Sequence, residues 1–574
     1  MYPLQQYKHK IITELQKVIS QYHPTFEIRV EVPPGDMGDF AFPCFSLASL
    51  AKKSPVVLAQ DIAKNIPKNE WISRVEAKGG YVNFFINTAS LILSTLKSII
   101  EKKDTYGYLP KKRKKVIIEH TSANPNGPLH VGRARNPIIG DTLVRIFKAA
   151  GYDVESQFYL DDMGKQVAIL AWGVNNLKQS EIPTSRYEKA DHQNVGFYQL
   201  AHKRMESDET VAQQIGNIVK KSEQGDHKII EMIHAAYSPV LQGIQESLSR
   251  VNIYIDKYIP ESTFVYDKSV ENVVKKLKNT PHCREEDGAF YLDLEPFEIQ
   301  GRNTNFFFLR NDGTTLYATR DIAYHQWKAQ HADLLINVLG EDHKLESKQV
   351  SIALTLLDTK ILPHVVFYAF VSLPDGKMST RRGRVVYLDE LIDECIEHAY
   401  DEVKKRRAGE LSESQMKDIA QLVGIGALRY NIVKVQPEKE IQFTWEEALN
   451  FEGNAVPFIQ YAHARACSIL AKSREKTYTV DATLLTHPAE LTLIKQLARF
   501  PIIIDDASKS CKPHLVANYL YETAAAFNQF YRDCPVLSEE NKALSSSRLT
   551  IVFAAKNVLG NALGILGISA LEEM

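Results

Sequence analysis

His130-Val131-Gly132-Arg133 stands where the chain could do chemistry on a phosphate. A short apolar strand, Val116-Ile117-Ile118-Glu119, runs into a turn rich in Asn, Pro and Gly, from His120 to Pro128. A helical segment follows, from about Asn136 to Ala150. The first turn of a helix carries N–H groups with no partner in the helix, which suits a triphosphate. An imidazole placed there can donate a hydrogen bond to an α-phosphate as it gains charge. Gly132 lets a ligand approach the backbone closely. The plainer alternative is that His130 caps a helix and Gly127-Pro128 is only a turn, since four-residue matches arise often by chance.

A second segment, Leu373-Pro374-Asp375-Gly376-Lys377-Met378-Ser379-Thr380-Arg381-Arg382-Gly383-Arg384, follows a strand-like run and opens with a Pro-Asp-Gly turn. Lys377 and the arginines beside it could neutralise a leaving pyrophosphate. A solvated basic loop is the alternative.

The elements that would position these residues alternate strand and helix. After the loop and the helix, a strand over Asp153 to Leu160 completes a β-loop-α-β unit, the start of a parallel nucleotide-binding sheet. From about Gln166 to Leu294 the pattern loosens into charged helices, with Val270, Val273, Val274 and Leu277 on one amphipathic face. Strand-like runs resume at Leu334 to Leu339 and His364 to Leu373, so an insertion splits the sheet. The first hundred residues read as a small mixed domain. It has a helix over Tyr7 to Ile19, another over Val56 to Ile66, and an alternating strand over Gly80 to Ile86. From about Asp389 onward the pattern is helical. Lys111 to Lys115 is a run of five basic residues, read as a solvated linker into the buried strand.

At 574 residues, 44% hydrophobic and 24% charged, the chain is an ordinary globular protein of roughly three or four domains. Its net charge of -1 gives no global attraction to nucleic acid, so any RNA binding must rest on local basic patches. Its six cysteines lie far apart with no Cys-x-x-Cys pair, which argues against a zinc ribbon or a disulfide framework. Neither a signal peptide nor an apolar run of ~18 residues is visible, and a cytoplasmic location is the default expectation.

His130-Val131-Gly132-Arg133 and Lys377-Met378-Ser379-Thr380, in that order and on either side of an insertion, resemble the HIGH and KMSKS signatures of class I aminoacyl-tRNA synthetases. The stretch Glu119 to Leu143, EHTSANPNGPLHVGRARNPIIGDTL, is similar to the arginyl-tRNA synthetases, notably the branch with an HxGR signature. Tyr317-Ala318-Thr319-Arg320-Asp321 and Gly340-Glu341-Asp342-His343 extend the likeness, the latter resembling the family's GADH segment beside the adenosine. So do Gly38 to Phe42, Gly426 to Tyr430, Phe451 to Asn454, Tyr461 to Arg465 and Phe527 to Leu537, so the resemblance covers essentially the whole chain.

The resemblance implies a Rossmann-like catalytic domain over residues 112–390, with its helical insertion at about 166–294. It implies an N-terminal domain over 1–105 that touches the tRNA D-loop, and an all-α anticodon-binding domain over 391–574. The substrates implied are L-arginine, ATP with Mg²⁺ and tRNA(Arg), with no structural metal. A monomer is the family's common form. Glu119, Asn124, Tyr317 and Asp321 correspond to arginine-binding positions. Carboxylates with a tyrosine can read a planar, permanently charged guanidinium. His130, Lys377, Arg133 and Ser379 correspond to the catalytic signatures. ATP would also meet Ser122, Ala123, Pro125, Gly127 and Gly132 around the first signature. Gly340, Asp342, His343 and Met378 would complete that site. For tRNA, the matching positions are Asp39 and Phe40 in the N-terminal domain and Arg429, Tyr461, Arg465 and Phe530 in the helical one. The alternatives for these aromatics are core positions.

Two departures stand out. The second histidine of HIGH is Arg133, and the last lysine of KMSK is Thr380. Family members lacking that lysine often carry one just before HIGH, where this chain has Gly127. Lys377, Arg381, Arg382 or Arg133 must then take its part. A synthetase for another amino acid, a tRNA-binding paralogue and a metabolic nucleotidylyltransferase are the competing readings. The absence of zinc-binding cysteine pairs, the retained signatures and pocket residues, and the long helical domain weigh against them in turn.

Overall fold

Val116, Ile117 and Ile118 are β-branched and fully buried, so Lys115–Glu119 (β1) forms an interior strand covered on both faces. Four strands join it: Asp153–Leu160 (β2), Lys257–Pro260 (β3), Leu334–Gly340 (β4) and His364–Tyr368 (β5). All pairings are parallel, in the order β5-β4-β1-β2-β3. The direction of strand addition reverses between β1 and β4, which opens a crevice beyond their carboxyl ends. Glu119 and Asn337 lie side by side in register at that edge. The structure, a computed structural model, describes residues 1–33, 37–299, 304–373, 376–377, 380–381, 384–473, 478–538 and 540–574, with only the backbone described within 372–385.

The helix Arg135–Ala149, buried along almost its whole length, connects β1 to β2. The helices Lys165–Asn176, Ala190–Ser207, Glu209–Glu223 and His227–Arg250 follow before β3. Two expectations are corrected here. The stretch read as a purely helical insertion contributes β3 to the central sheet. It also contributes two strands, Cys283–Glu286 and Ala289–Asp293, to an antiparallel sheet completed by Asn305–Leu309. The single strand expected over His364 to Leu373 is broken. After β5 the Ala369 N–H turns to the Pro437 carbonyl at 2.9 Å, and Val371–Leu373 pairs instead with Gly376–Lys377 and Ile441–Gln442.

At the N-terminus, Pro3–Ile19 and two further helices pack on a three-stranded antiparallel sheet of Phe40–Pro43, Tyr81–Ile86 and Ile72–Lys78, around a core of its own. From Leu388 the chain is almost wholly helical, ending in Lys542–Ile565. Among the described residues no helix is long and apolar enough to cross a membrane.

Asp389, at the start of the Leu388–Arg407 helix, ties three parts of the chain together. Its carboxylate accepts from Lys189 Nζ at 2.7 Å, Ser247 Oγ at 2.8 Å and Arg250 Nη1 at 2.8 Å, and His192 Nε2 lies 3.1 Å away. Asp191, His192 and Asp389 hold possible metal-ligand atoms within 4.8 Å of one another. The Lys189 ammonium, 3.4 Å from Asp191 and 2.7 Å from Asp389, already supplies the positive charge between the two carboxylates. Burial alone would raise the Asp389 carboxyl, but the bonds from His192, Lys189 and Ser247 outweigh it and hold it well below the carboxylate range. A depressed carboxyl contributes stability that is present above its unfolded value and lost as pH falls. Asp389→Asn is therefore expected to lower the melting temperature at pH 7 by roughly 5–10 °C. The gap to the parent should close as pH falls from 3.8, the ordinary carboxylate value, which thermal melts across a pH series would measure.

Candidate active site

Two consecutive residues after β1, Thr121 at φ 73° and Ser122 at φ 31°, adopt left-handed backbone that L-residues normally avoid. Side chains hold them there. Asn136 Oδ1 accepts from the Thr121 N–H at 2.7 Å, while Asn136 Nδ2 donates to the Val338 carbonyl on β4 at 3.0 Å. Ser122 Oγ accepts from the Tyr159 N–H at 3.1 Å and donates to Glu119 Oε1 at 3.3 Å. The turn therefore fits the gap between β4 and β2, with Glu119 at its base. His120 is buried behind it, and burial pushes its imidazole down to about 4.

His130 lies at the crevice, ahead of a short 3₁₀ turn, Val131–Arg133. Its Nδ1 accepts from the Gly132 N–H at 3.0 Å, so the ring proton sits on Nε2, where it can be donated. The same bond engages the Gly132 N–H, so this group is not among the unpartnered first-turn donors expected to suit a triphosphate. His130 bridges Tyr387 as in an antiparallel pair, and Val131 N–H donates to the Val386 carbonyl at 3.0 Å. The segment leaving the basic loop thus clamps the first signature directly.

Arg133 is exposed and close enough to His343 and Tyr368 for its charge to act on both. His343 follows β4; its bond to Glu346 at 3.1 Å raises the imidazole above its ordinary value. Asp342 folds back over Gly340, where an added Cβ would lie 2.4 Å from its Oδ1. Arg133, Gly340, Asp342 and His343 therefore share one side of the crevice. Ala123, Pro125 and Gly127 are buried and Asn124 is half-buried. A Cβ on Gly127 would lie 2.6 Å from Val195 Cγ2 in the Ala190–Ser207 helix, so any larger side chain here would have to displace Val195. The side chains of Lys377, Met378 and Ser379 lie outside the described residues.

Tyr317 and Asp321 lie one turn apart on the helix Tyr317–His331, which packs against the sheet edge. Tyr317 is half-exposed beside the Tyr159 ring, at 6.2 Å between centroids, and Glu119 and Asp321 both act on its phenol. Arg320 turns the other way, with Nε 2.9 Å from Glu261 Oε1. Glu119, Tyr317 and Asp321 are thus brought together at the end of β1, with Asn124 on the adjoining loop.

Three residues that the sequence reading missed complete this cluster. Lys328 Nζ donates to Glu119 Oε2 at 2.6 Å and to Asn337 Oδ1 at 3.1 Å, and lies 3.2 Å from His325 Nε2. A signal was available: Tyr317, Asp321, His325 and Lys328 follow one another at four, four and three residues, a polar stripe down one helix face. Burial raises the Asp321 carboxyl, but His325, bonded to it at 3.1 Å, and the nearby Lys328 charge hold it below the usual range.

The positions proposed for tRNA divide. Arg429 is fully buried; its guanidinium pairs with Asp141 and donates to the Leu566 and Val251 carbonyls, at 2.8 and 2.7 Å, so it is a core residue. Phe530 and Phe40 are also core residues, and none of the three can meet RNA without unfolding. Asp39 accepts from the Ile86 N–H and pairs with Lys495, tying the N-terminal sheet to the helix Pro488–Ser510. Tyr461 and Arg465 remain: Arg465 lies between two exposed rings, 4.6 Å from the centre of Tyr461 and 4.5 Å from that of Tyr531. Lys472, Arg532 and Lys556 line the same open cleft.

Comparison with known proteins gives this arrangement a family. A model described as tRNA synthetases class I (R), catalytic domain, matches residues 95–445. The arginyl tRNA synthetase N terminal domain matches 5–86, and the DALR anticodon binding domain matches 459–574. The chain is 47% identical over 530 residues to an arginine–tRNA ligase of Methanocella arvoryzae, covering 92% of each. It is 43% identical over 537 residues to that of Methanosarcina barkeri, again 92% of each. The arginyl-tRNA synthetase of Thermus thermophilus superposes with a TM-score of 0.84 at 28% identity, covering 99% of this chain and 100% of that one. With the three family models covering most of its length and these relatives matching it end to end, the chain belongs to the class I arginyl-tRNA synthetases.

Proposed function

We propose that the chain ligates arginine to tRNA(Arg) in two steps, both at the crevice beyond β1 and β4. The arginine carboxylate attacks the α-phosphate of Mg-ATP, forming arginyl-adenylate and releasing pyrophosphate. The 2′-hydroxyl of the terminal adenosine of tRNA then takes the arginyl group and AMP leaves. The observation that carries the reading is the grouping of Glu119, Asp321 and Tyr317 at the foot of the loop that leads to His130. Two carboxylates and a phenol match a planar cation. A side chain that lacks the guanidinium would leave the group without the cation that balances its charge.

His130 donates from Nε2 to the α-phosphate as negative charge builds there. Lys377, aided by Arg133 at the rim, neutralises the pyrophosphate, and Ser379 and Met378 belong to the loop that closes over ATP. Gly340, Asp342 and His343 border the adenosine, opposite Ser122 and Ala123. The catalytic unit spans about residues 112–390, the N-terminal unit 1–105 meets the tRNA D-loop, and the helical unit 391–574 holds the anticodon. Within the last, Tyr461, Arg465 and Tyr531 offer a cationic stacking surface for unpaired bases.

Charging of total tRNA with each labelled amino acid tests the reading: arginine alone is expected to be incorporated. Tight tRNA binding without charging would identify a binding paralogue instead. For the anticodon surface, Tyr461→Ala is expected to raise the tRNA KM by roughly tenfold, one stacked base's worth, and to leave the KM for ATP and arginine unchanged. An unchanged tRNA KM would remove Tyr461 from the interface.

A further inference from the structure

Lys328 is completely buried, yet its ammonium meets three acceptors: Glu119 Oε2 at 2.6 Å, Asn337 Oδ1 at 3.1 Å and His325 Nε2 at 3.2 Å. An ammonium has three donors and accepts nothing, so each contact has only one sense. Asn337 Oδ1 is therefore the acceptor, and Asn337 Nδ2 donates to His325 Nε2 at 2.7 Å. With two donors directed at Nε2, the imidazole proton sits on Nδ1, facing the Asp321 carbonyl at 2.9 Å and carboxylate at 3.1 Å. Glu119 and Asp321 are thus the two ends of one hydrogen-bonded chain with Lys328 at its centre.

Charge explains why a lysine stands there. Two carboxylates, one ammonium and a neutral imidazole sum to −1, the complement of one guanidinium. Without Lys328 the cluster would carry −2 in a buried place, where like charges suppress each other's ionisation. An apolar side chain would fill the same volume without the desolvation cost of a charge. We propose that Lys328 is a positioning residue for arginine selection: it fixes the Glu119 carboxylate directly and Asp321 through His325, and it sets the pocket's charge to accept one cation. The inference rests on the reading of Glu119 as an arginine ligand.

Arginine-dependent ATP–pyrophosphate exchange, with tRNA present, separates the two. Glu119→Gln is expected to raise the arginine KM at least tenfold, and Lys328→Gln at least fivefold, with the ATP KM within twofold of the parent in both. Lys328→Arg, which keeps the charge, should lie closer to the parent than Lys328→Gln. The double variant should fall short of the product of the two single effects, because part of what Lys328 does runs through Glu119 and only the part through His325 and Asp321 remains. If Glu119→Gln leaves the arginine KM unchanged, the ligand reading fails. If it raises that KM while Lys328→Gln does not, or if the two effects multiply, the positioning role is overturned. Lys328→Met offers a second neutral variant should Lys328→Gln fail to fold, and the same thresholds apply to it.

Discussion

Replacing His130 by asparagine is expected to slow arginyl-adenylate formation by about 10²–10³-fold, the usual loss when a donor to a charge-gaining oxygen is removed. The choice of asparagine separates two roles of one side chain. His130 Nδ1 accepts from the Gly132 N–H at 3.0 Å, and an asparagine oxygen can accept the same bond, so the turn keeps its cap. Only the Nε2 donor disappears. Pyrophosphate exchange at saturating ATP and arginine reads the chemical step, and the melting temperature should change little. If exchange stayed within threefold of the parent, His130 would be a cap and nothing more. The backbone on either side is held independently, by the Val131 to Val386 bond and by Leu388 N–H on the Leu129 carbonyl at 2.8 Å. Collapse of the site is therefore not expected to imitate the loss of a donor.

The second large effect is on folding. Arg429→Met is expected to cost roughly 5 kcal/mol or more. Removing one partner of a buried ion pair costs about 3–5 kcal/mol, and each stranded carbonyl about 1–3 more. Asp141 would keep its neighbour Arg145, but the Leu566 and Val251 carbonyls would lose Arg429 as a donor. Gly567, at φ 70°, packs on the same guanidinium: a Cβ there would lie 2.2 Å from Nη2. The C-terminal turn is thus built around this side chain. Differential scanning calorimetry should show the melting temperature falling by more than 10 °C, or failure to fold, at any tRNA concentration. A stable Arg429→Met variant with weakened tRNA binding would reverse the assignment and return Arg429 to the RNA surface.

These two residues show what could be read from the chain and what could not. Glu119 and His130 were legible because a run of Val and Ile, a turn and a helix in that order fix a place in space as well as a type of chemistry. β3 was not: Lys257-Tyr258-Ile259-Pro260 is four residues at the edge of the sheet, starts with a charge and ends in proline. Arg429, Phe530 and Phe40 matched family segments, but whether a side chain in a matching segment faces solvent depends on what packs against it. For Arg429 the partners are Asp141, Val251 and Leu566, 288, 178 and 137 residues away. Gly127 reads as a turn residue until Val195 is seen against it. Lys328 was hidden for the opposite reason: a lysine in a helix is ordinarily solvated, and only the stripe it shares with Tyr317, Asp321 and His325 marks it as an inward residue.

Strand order also governs when this protein can become itself on the ribosome. β1 is central, flanked by β2 and β4, yet β4 begins 215 residues after β1 ends, from Glu119 to Leu334. At ~5–20 residues per second, synthesis leaves one edge of β1 without its neighbour for roughly 10–40 s. Throughout that interval Val116, Ile117 and Ile118 are an apolar strand with an open side, the kind of edge that pairs with other chains. The helices made in the meantime can cover a face of the sheet but cannot donate to that edge. Nascent chains halted before residue 334 should therefore be the aggregation-prone species, and slower initiation, which spaces neighbouring ribosomes, should raise the soluble yield more than slower elongation does.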